Sequence, residues 1–443
     1  MVRNDQKTEP DMKILMVNKF LHPNGGSETY IFKLGEQLQK TGHEVQFFGM
    51  EHEGRIVGNH AGIYTSDMDF HSGGLKKLLY PLRIIYSAEA KKKMRLVLED
   101  FRPDVVHLNN INFQLTPSVI YAVRAYEKKY NRHVRIVYTA HDYQWVCPNH
   151  MMRVPSTGEI CFACRGGDFM QCSKRRCIHD SGMKSLLGTI EAKYYAKRKT
   201  YGMVDVIVCP SEFMKKQLDT DPLLADKTVM MHNFIERVSG KTDHIEKPGE
   251  GSVSSVRTEE NDVGQNGGDE KSKDYVLYFG RFSEEKGTET LLKACSALPD
   301  IPFIFAGTGP LEEKVNQAAN VENRGFVSGE ELRSLIAGAR FSVYPSEWYE
   351  NCPFSVMESQ MYGTPVLVSD LGGAPELVQA GRTGDLFRGG DIQELTEHIR
   401  ALWNDPALCR EYSENCKNIK FDTIEEYCDK IVRNIYSLHE EIM

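Results

Sequence analysis

"MKILMVNKFLHPNGGSETY", residues 12–30, decides the fold of this chain. The run from Met12 to Phe20 is short and apolar, and it reads as a buried first strand. The following "NGGS" (24–27) reads as a turn that opens a helix ending near Gly42. "HEVQFFGM" (43–50) reads as the next strand. "DVVHLNN" (104–110), "VRIVYTAHD" (134–142), "VDVIVCPS" (204–211) and "TVMMHNF" (228–234) are further candidates, with helical patterns between most of them. Strand–helix alternation of this kind implies a parallel sheet with helices on both faces.

The alternation then breaks. Residues 237–274 are polar, rich in Gly and Ser and nearly free of large apolar side chains, so they read as a flexible linker. It resumes with "YVLYFGR" (275–281), "IPFIFAGTG" (301–309), "RFSVYPS" (340–346) and "PVLVSD" (365–370). Amphipathic helical patterns run from Asp391 to about Glu441. The expectation is therefore an α/β protein of two Rossmann-like parallel-sheet domains, residues 1–236 and 275–420, with a terminal helix at 421–443. Two such sheets leave a cleft between the carboxyl ends of their strands, where open α/β sheets bind ligands.

A length of 443 residues suits two cores rather than one, and 41% hydrophobic residues can fill both. The stretch "MVRNDQKTEPDMKIL" has no apolar signal region, and no run approaches the ~20 apolar residues of a membrane span. This predicts a cytoplasmic protein without a transmembrane anchor. The net charge of −8 is uneven: residues 1–236 carry 33 Lys and Arg against 26 Asp and Glu, and the rest carry 21 against 36. A mildly basic first half suits anionic substrates or an anionic membrane surface; a chance imbalance on a solvated surface is the equal alternative. The overall acidity argues against a nucleic-acid partner.

Three loops at predicted strand ends carry chemistry. Gly25 and Gly26 permit close backbone approach to an anion at a helix start, or simply form a tight turn. The Gly-x-Gly-x-x-Gly spacing of nicotinamide and flavin sites is lacking. "GRFSEEKG" (280–287) places Arg281 and Lys286 where two cations could clamp a diphosphate leaving group; a surface ion pair with Glu284 or Glu285 is the alternative. "SEWYENCPFSVMESQ" (346–360) sets Glu350 and Glu358 on either side of a helix start, with Asn351 as the expected cap and Pro353 in the first turn. Carboxylates there can accept hydrogen bonds from sugar or ribose hydroxyls, or they are two solvent-facing glutamates.

In their order along the chain, "NGGSETY", "AHDY", "FGRFSEEKG", "FAGTGPLEEKV", "NRGFVSGEEL", "EWYENCPFSVMES" and "GGAPELV" resemble the retaining, sugar-nucleotide-dependent glycosyltransferases of family 4, which have the GT-B fold. The resemblance runs from residue 12 to about 405, and it implies that the final helix crosses back to the first domain. It further implies that Arg281 and Lys286 bind the donor diphosphate, that Glu350 lies by the transferred sugar and that Glu358 holds the ribose. Asn351, Cys352, Pro353 and Phe354 would offer main-chain groups to sugar and phosphate. Gly325, Phe326 and Val327 would flank the base, Gly25 and Gly26 would line the cleft, and His141 would reach the sugar or diphosphate from the opposite domain.

The two glutamates do not read as a glycosidase pair, because Glu358 is committed to ribose and no nucleophile stands out. A front-face substitution is the implied mechanism, with no cofactor required: the cationic side chains take the place of a metal, and no Asp-x-Asp stands where a metal-dependent transferase needs one. The resemblance extends to a hexosyltransferase acting on a UDP- or GDP-sugar, with a glycan or lipid-linked acceptor, in surface polysaccharide or glycolipid assembly. The alternatives are a sugar-nucleotide epimerase of the same fold and a catalytically silent sugar-nucleotide-binding module.

Residues 147–180 read as a cysteine-rich insertion. Cys161-x-x-Cys164 and Cys172-x-x-x-x-Cys177, with Cys147 as a substitute, have spacing that allows four thiolates around a structural zinc; free thiols or a redox-labile disulfide are the alternatives. "LKKLLYPLRIIYSAEAKKKMRLVL" (75–98) and "KYYAKRK" (193–199) mix basic with apolar or aromatic residues. They read either as helices packed on the first sheet or as peripheral contact with the inner face of a membrane.

Overall fold

The computed structural model describes residues 11–66, 80–236 and 275–437. The expected linker 237–274 lies outside the described residues, as do part of the 75–98 stretch and the last six residues. The first sheet holds β1 (Lys13–Val17), β2 (Glu44–Phe48), β3 (Val105–Leu108), β4 (Arg135–Thr139), β5 (Val206–Cys209) and β6 (Thr228–Met230), in the order β2-β1-β3-β4-β5-β6. The second holds β7 (Val276–Phe279), β8 (Phe303–Ala306), β9 (Val321–Asn323), β10 (Phe341–Tyr344), β11 (Val366–Ser369) and β12 (Gly384–Phe387), in the order β12-β11-β10-β7-β8-β9. Neighbouring strands pair in parallel throughout, as in Ile14 opposite Val105 and Val276 opposite Phe303.

Short apolar runs become these strands because helices cover both faces, so even successive residues such as Ile14, Leu15, Met16 and Val17 are buried. Two strands were not expected from the sequence. β9 and β12 lie at the edges of the second sheet and are partly exposed, so neither needs an apolar run. The winding direction reverses beside the first strand of each sheet, between β1 and β3 and between β7 and β10. Crevices outside the carboxyl ends of such strand pairs are where ligands bind. The segments that follow those strands are the ones carrying Gly26, Asn110, Arg281 and Glu350.

The C-terminal segment is divided. Helices Ile392–Asn404 and Pro406–Cys416 pack on the second sheet through Leu395, Ile399 and Tyr412. The helix Ile424–Ile431, opened by a Thr423–Glu426 capping box, and the π-helical turn Val432–Tyr436 lie instead in the first domain's core with Ile14, Tyr30 and Leu34. A bridge between Ile235 and Thr423 sets the two crossing segments side by side. The Tyr427 and Tyr30 hydroxyls are 2.8 Å apart, and the Tyr436 hydroxyl meets His107 Nδ1 at 2.6 Å. Burial holds His107 neutral, pushing it down to about 3, with His141 adding to the effect.

The cysteine-rich insertion contains an Arg153–Ile160 antiparallel bridge and the helix Met170–Lys174, which packs on the helix Gly182–Lys197. The inner face of the latter buries Glu191, whose Oε1 has no hydrogen-bond partner. Burial pushes this carboxyl up to about 8. Between its unfolded value and 8 the folded chain holds a proton that the unfolded chain has released, so this group removes stability as pH rises through that window. Glu191→Gln should therefore raise stability at pH 7 by about 3 kcal/mol. It should also flatten the fall in thermal midpoint between acidic and neutral pH. Parallel melting curves for the two proteins across that range check this.

Candidate active site

The two domains enclose a cavity of about 950 Å³. From the second domain, the loop after β7 brings Arg281 and Lys286, and the loop after β10 brings Trp348 and Glu350. These loops lie close because Gly287, at φ 70°, packs where a Cβ would sit 1.8 Å from the Pro345 carbonyl oxygen. Lys286 Nζ then lies 2.5 Å from Glu350 Oε1, which also accepts from Ser346 Oγ and Trp348 Nε1, each at 2.8 Å. The ammonium sits 5.4 Å from the centre of the Trp348 ring. Burial alone would raise the Glu350 pKa, but Lys286 and the two neutral donors outweigh it and leave the carboxyl below its usual range. Lys286 is thus held by Glu350 and not by Glu284 or Glu285. Arg281 is exposed at the cavity wall and makes no ion pair among the described residues.

The helix Phe354–Met361 starts at the cavity, with Pro353 as its N-cap. This corrects the expectation that Asn351 caps it. The Asn351 side chain reaches into the other domain, donating from Nδ2 to the Ala140 carbonyl at 3.0 Å and accepting from Ser211 Oγ at 3.3 Å. Cys352 is likewise drawn across: its Sγ accepts from the Asn233 N–H at 3.2 Å and its carbonyl from Asn233 Nδ2 at 2.8 Å. That carbonyl therefore has a protein partner. Phe354 packs near Phe234 and also lines the cavity. Glu358 stands one turn inside the helix and faces the cavity, with burial and the nearby Glu236 charge raising its pKa.

On the first-domain side, Gly26 opens the helix Gly26–Lys40 and lines the cavity, while Gly25 is its N-cap and is not part of the wall. His141 Nε2 lies 2.9 Å from Asn109 Oδ1, and burial holds the ring neutral by pushing it down to about 3. Phe326 and Val327 line the opposite rim, Phe326 being 78% exposed. Gly325 is set back from the wall, and its carbonyl accepts from the Gly307 N–H. Trp348 and Ser346, which fix Glu350, were within the quoted sequence but not singled out; an indole two residues before a buried carboxylate was the available signal.

Glu376 was also missed. Its two oxygens accept from the Glu212 and Phe213 N–H groups at 2.8 and 2.7 Å, and His232 Nε2 lies 3.3 Å away. It joins the two domains at the start of the helix Glu212–Leu218. Gly373 is needed beside it, since a Cβ there would lie 2.4 Å from Ser211 Cβ.

The five cysteines of the insertion, Cys147, Cys161, Cys164, Cys172 and Cys177, line one small cavity. Cys164, Cys172 and Cys177 pack with Val154, Phe169 and Ala192, and the five cysteines of the insertion carry free thiols. Burial pushes Cys147 and Cys164 up to about 12, so they are protonated thiols and behave as small hydrophobes. Among the described residues no group of three or more His, Cys, Asp or Glu side chains could hold a metal ion, so the arrangement does not fit the structural zinc read from Cys161, Cys164, Cys172 and Cys177. The insertion instead meets the loop before Glu350, through Arg153–Glu347 and Phe162–Tyr349.

Residues 24–237 match the family model "Glycosyltransferase Family 4", and residues 260–419 match "Glycosyl transferases group 1". The chain belongs to glycosyltransferase family 4. An uncharacterized 42.6 kDa protein in the cps region of Klebsiella pneumoniae is 24% identical over 402 residues, covering 87% of this chain and 91% of that one. Sulfoquinovosyl transferase SQD2 of Arabidopsis thaliana is 32% identical over 142 residues, 31% of this chain and 28% of its own length. The matches to the first relatives span less than two thirds of those proteins. The fold is GT-B. Anabaena Alr3699/HepE, solved in complex with UDP and glucose, aligns with a TM-score of 0.61 at 17% identity, covering 96% of this chain and 100% of that one. Among the described residues no helix is long and apolar enough to cross a membrane.

Removing one partner of the Lys286–Glu350 pair leaves the other buried without its counter-charge. Lys286→Met should cost about 1–3 kcal/mol and lower the melting temperature. Adding Glu350→Gln to it should restore most of the loss. A double variant as unstable as the sum of the single ones would show that the two side chains are not coupled.

Proposed function

We propose that this protein is a retaining glycosyltransferase that moves a hexose from a UDP- or GDP-sugar to a hydroxyl of a glycan or lipid-linked acceptor. The observation that carries the reading is the arrangement at the switch point of the second sheet. There Lys286 and Glu350 form a fixed pair, while Arg281 and Glu358 face the same cavity. Two cations beside a helix start suit a diphosphate, and a carboxylate one turn into that helix suits the vicinal hydroxyls of ribose. The GT-B likeness to HepE, solved with UDP and glucose, and the full-length likeness to a protein of a cps region support this direction and a role in surface polysaccharide or glycolipid assembly.

In this reading Arg281 and Lys286 stabilise the leaving diphosphate as the bond from the sugar C1 to its oxygen breaks. The acceptor oxygen bonds to C1 from the same face, and its proton passes to the departing phosphate oxygen. Glu350, anchored through Oε1, lies by the sugar hydroxyls. His141 is neutral, so it acts as a hydrogen-bonding group without adding charge to the diphosphate side. No side chain is assigned as a nucleophile. Domain contacts through Asn351, Asn233 and Glu376 hold the two walls of the cavity together, and closure around bound substrates would expel water and limit hydrolysis.

Calorimetric titration with UDP- and GDP-sugars tests the assignment. One nucleotide class should bind, and Arg281→Ala and Glu358→Gln should each weaken it by about 10–100-fold. A Glu358→Gln protein with unchanged affinity and turnover would remove the ribose role.

A further inference from the structure

We propose that the outer face of the helix Gly182–Lys197 is a docking surface for an anionic lipid bilayer. Met183, Leu186 and Ile190 are 77%, 45% and 45% exposed. Their spacing of three and four residues sets them in one stripe on one side of the helix. The stripe has no route inward, because the opposite side is already committed: Ser185, Gly188, Thr189, Ala192 and Tyr195 are buried against the domain. At Gly188 a Cβ would lie 2.5 Å from the Ile178 side chain, so the helix is seated closely on that side.

Charge selects the occupant. Lys184, Lys193, Lys197, Arg198 and Lys199 are all exposed around and beyond the stripe. Glu191, the one acid between Gly182 and Lys199, is buried on the inner side. Asp180 is the nearest exposed acid in sequence and precedes the helix. The positive area continues sideways, with Arg198 over Tyr194 at 4.8 Å, Tyr194 beside Tyr86, and Lys91 over Tyr86 at 5.9 Å. Apolar side chains ringed by cations, with tyrosines at the margin, match the layering of a bilayer surface, where acyl chains lie below anionic headgroups. A second copy of this face fits poorly, because pairing would bring two sets of cations together with no exposed acid on the helix to offset them. The patch is opposite in sign to the chain as a whole, whose net charge is −8, so it would also orient the molecule on an anionic surface. This inference is independent of the transferase reading and of the acceptor.

Flotation of the full chain with vesicles tests it. The protein should float with vesicles of equal parts phosphatidylglycerol and phosphatidylcholine at low salt. It should float much less at high salt, and not at all with phosphatidylcholine alone. Replacing the stripe (Met183→Ser, Leu186→Ser, Ile190→Ser) or reversing charge (Lys193→Glu, Lys197→Glu) should each cut the bound fraction by about tenfold. Melting curves and sugar-nucleotide binding of both variants should stay unchanged, since neither set touches the cavity. The charge-reversal pair decides the matter if the serine variant does not fold. Failure of the parent chain to float with the anionic vesicles overturns the proposal, as does equal flotation of the variants. A dimer in light scattering that the serine variant abolishes would assign the face to a second copy instead.

Discussion

The ion pair between Lys286 and Glu350 is the contact on which the geometry of the cavity depends. It ties the loop after β7 to the loop after β10, across the point where the winding of the second sheet reverses. Because Ser346 and Trp348 donate to the same oxygen, the carboxylate has one orientation. The pair is mostly shielded from water, so its strength comes from a local medium less polarisable than bulk solvent and from the neutral donors around it. Gly287 makes the arrangement possible by allowing one loop to press on the other.

A second layer of contacts connects this fixed centre to the first domain. Asn351, Cys352 and Glu376 all belong to the second domain, and all spend their polar atoms on backbone or side chains of the first. The stretch that carries the carboxylates is thus also the stretch that holds the domains together. A change in domain angle would be felt at Glu350 within one residue, and the cysteine-rich insertion adds its own grip through Arg153 and Phe162.

Much of this was legible in the chain, for identifiable reasons. Buried parallel strands need apolar runs, and ten such runs stood out. β9 and β12 did not, because "VEN" and "GDLF" sit at sheet edges where one side is open. Arg281, Lys286, Glu350 and Glu358 were singled out by their place after strand ends together with the family resemblance, and the cavity gathers all four. Asn351 was misread as a local cap because Asn is a good cap in isolation, while its real partners, Ala140 and Ser211, are far away in sequence. Glu376 failed to register for the same reason. For the cysteines, spacing reported which thiols can approach one another, and the five of the insertion do line one small cavity, whereas packing with Val154 and Phe169 decides where they point.

The return of the chain to the first domain has a consequence for how the protein is made. Ile424, Tyr427, Ile431 and Tyr436 fill a core whose other walls are built from residues near the start, such as Ile14 and Tyr30. A ribosome that has released the first 236 residues has therefore not yet supplied the side chains that seal them. The nascent first domain must wait, with an apolar trough open, while the second domain emerges and folds. Synthesis of the second domain acts as a timer on completion of the first, and shielding of that trough by a chaperone during the interval would govern the yield of native protein.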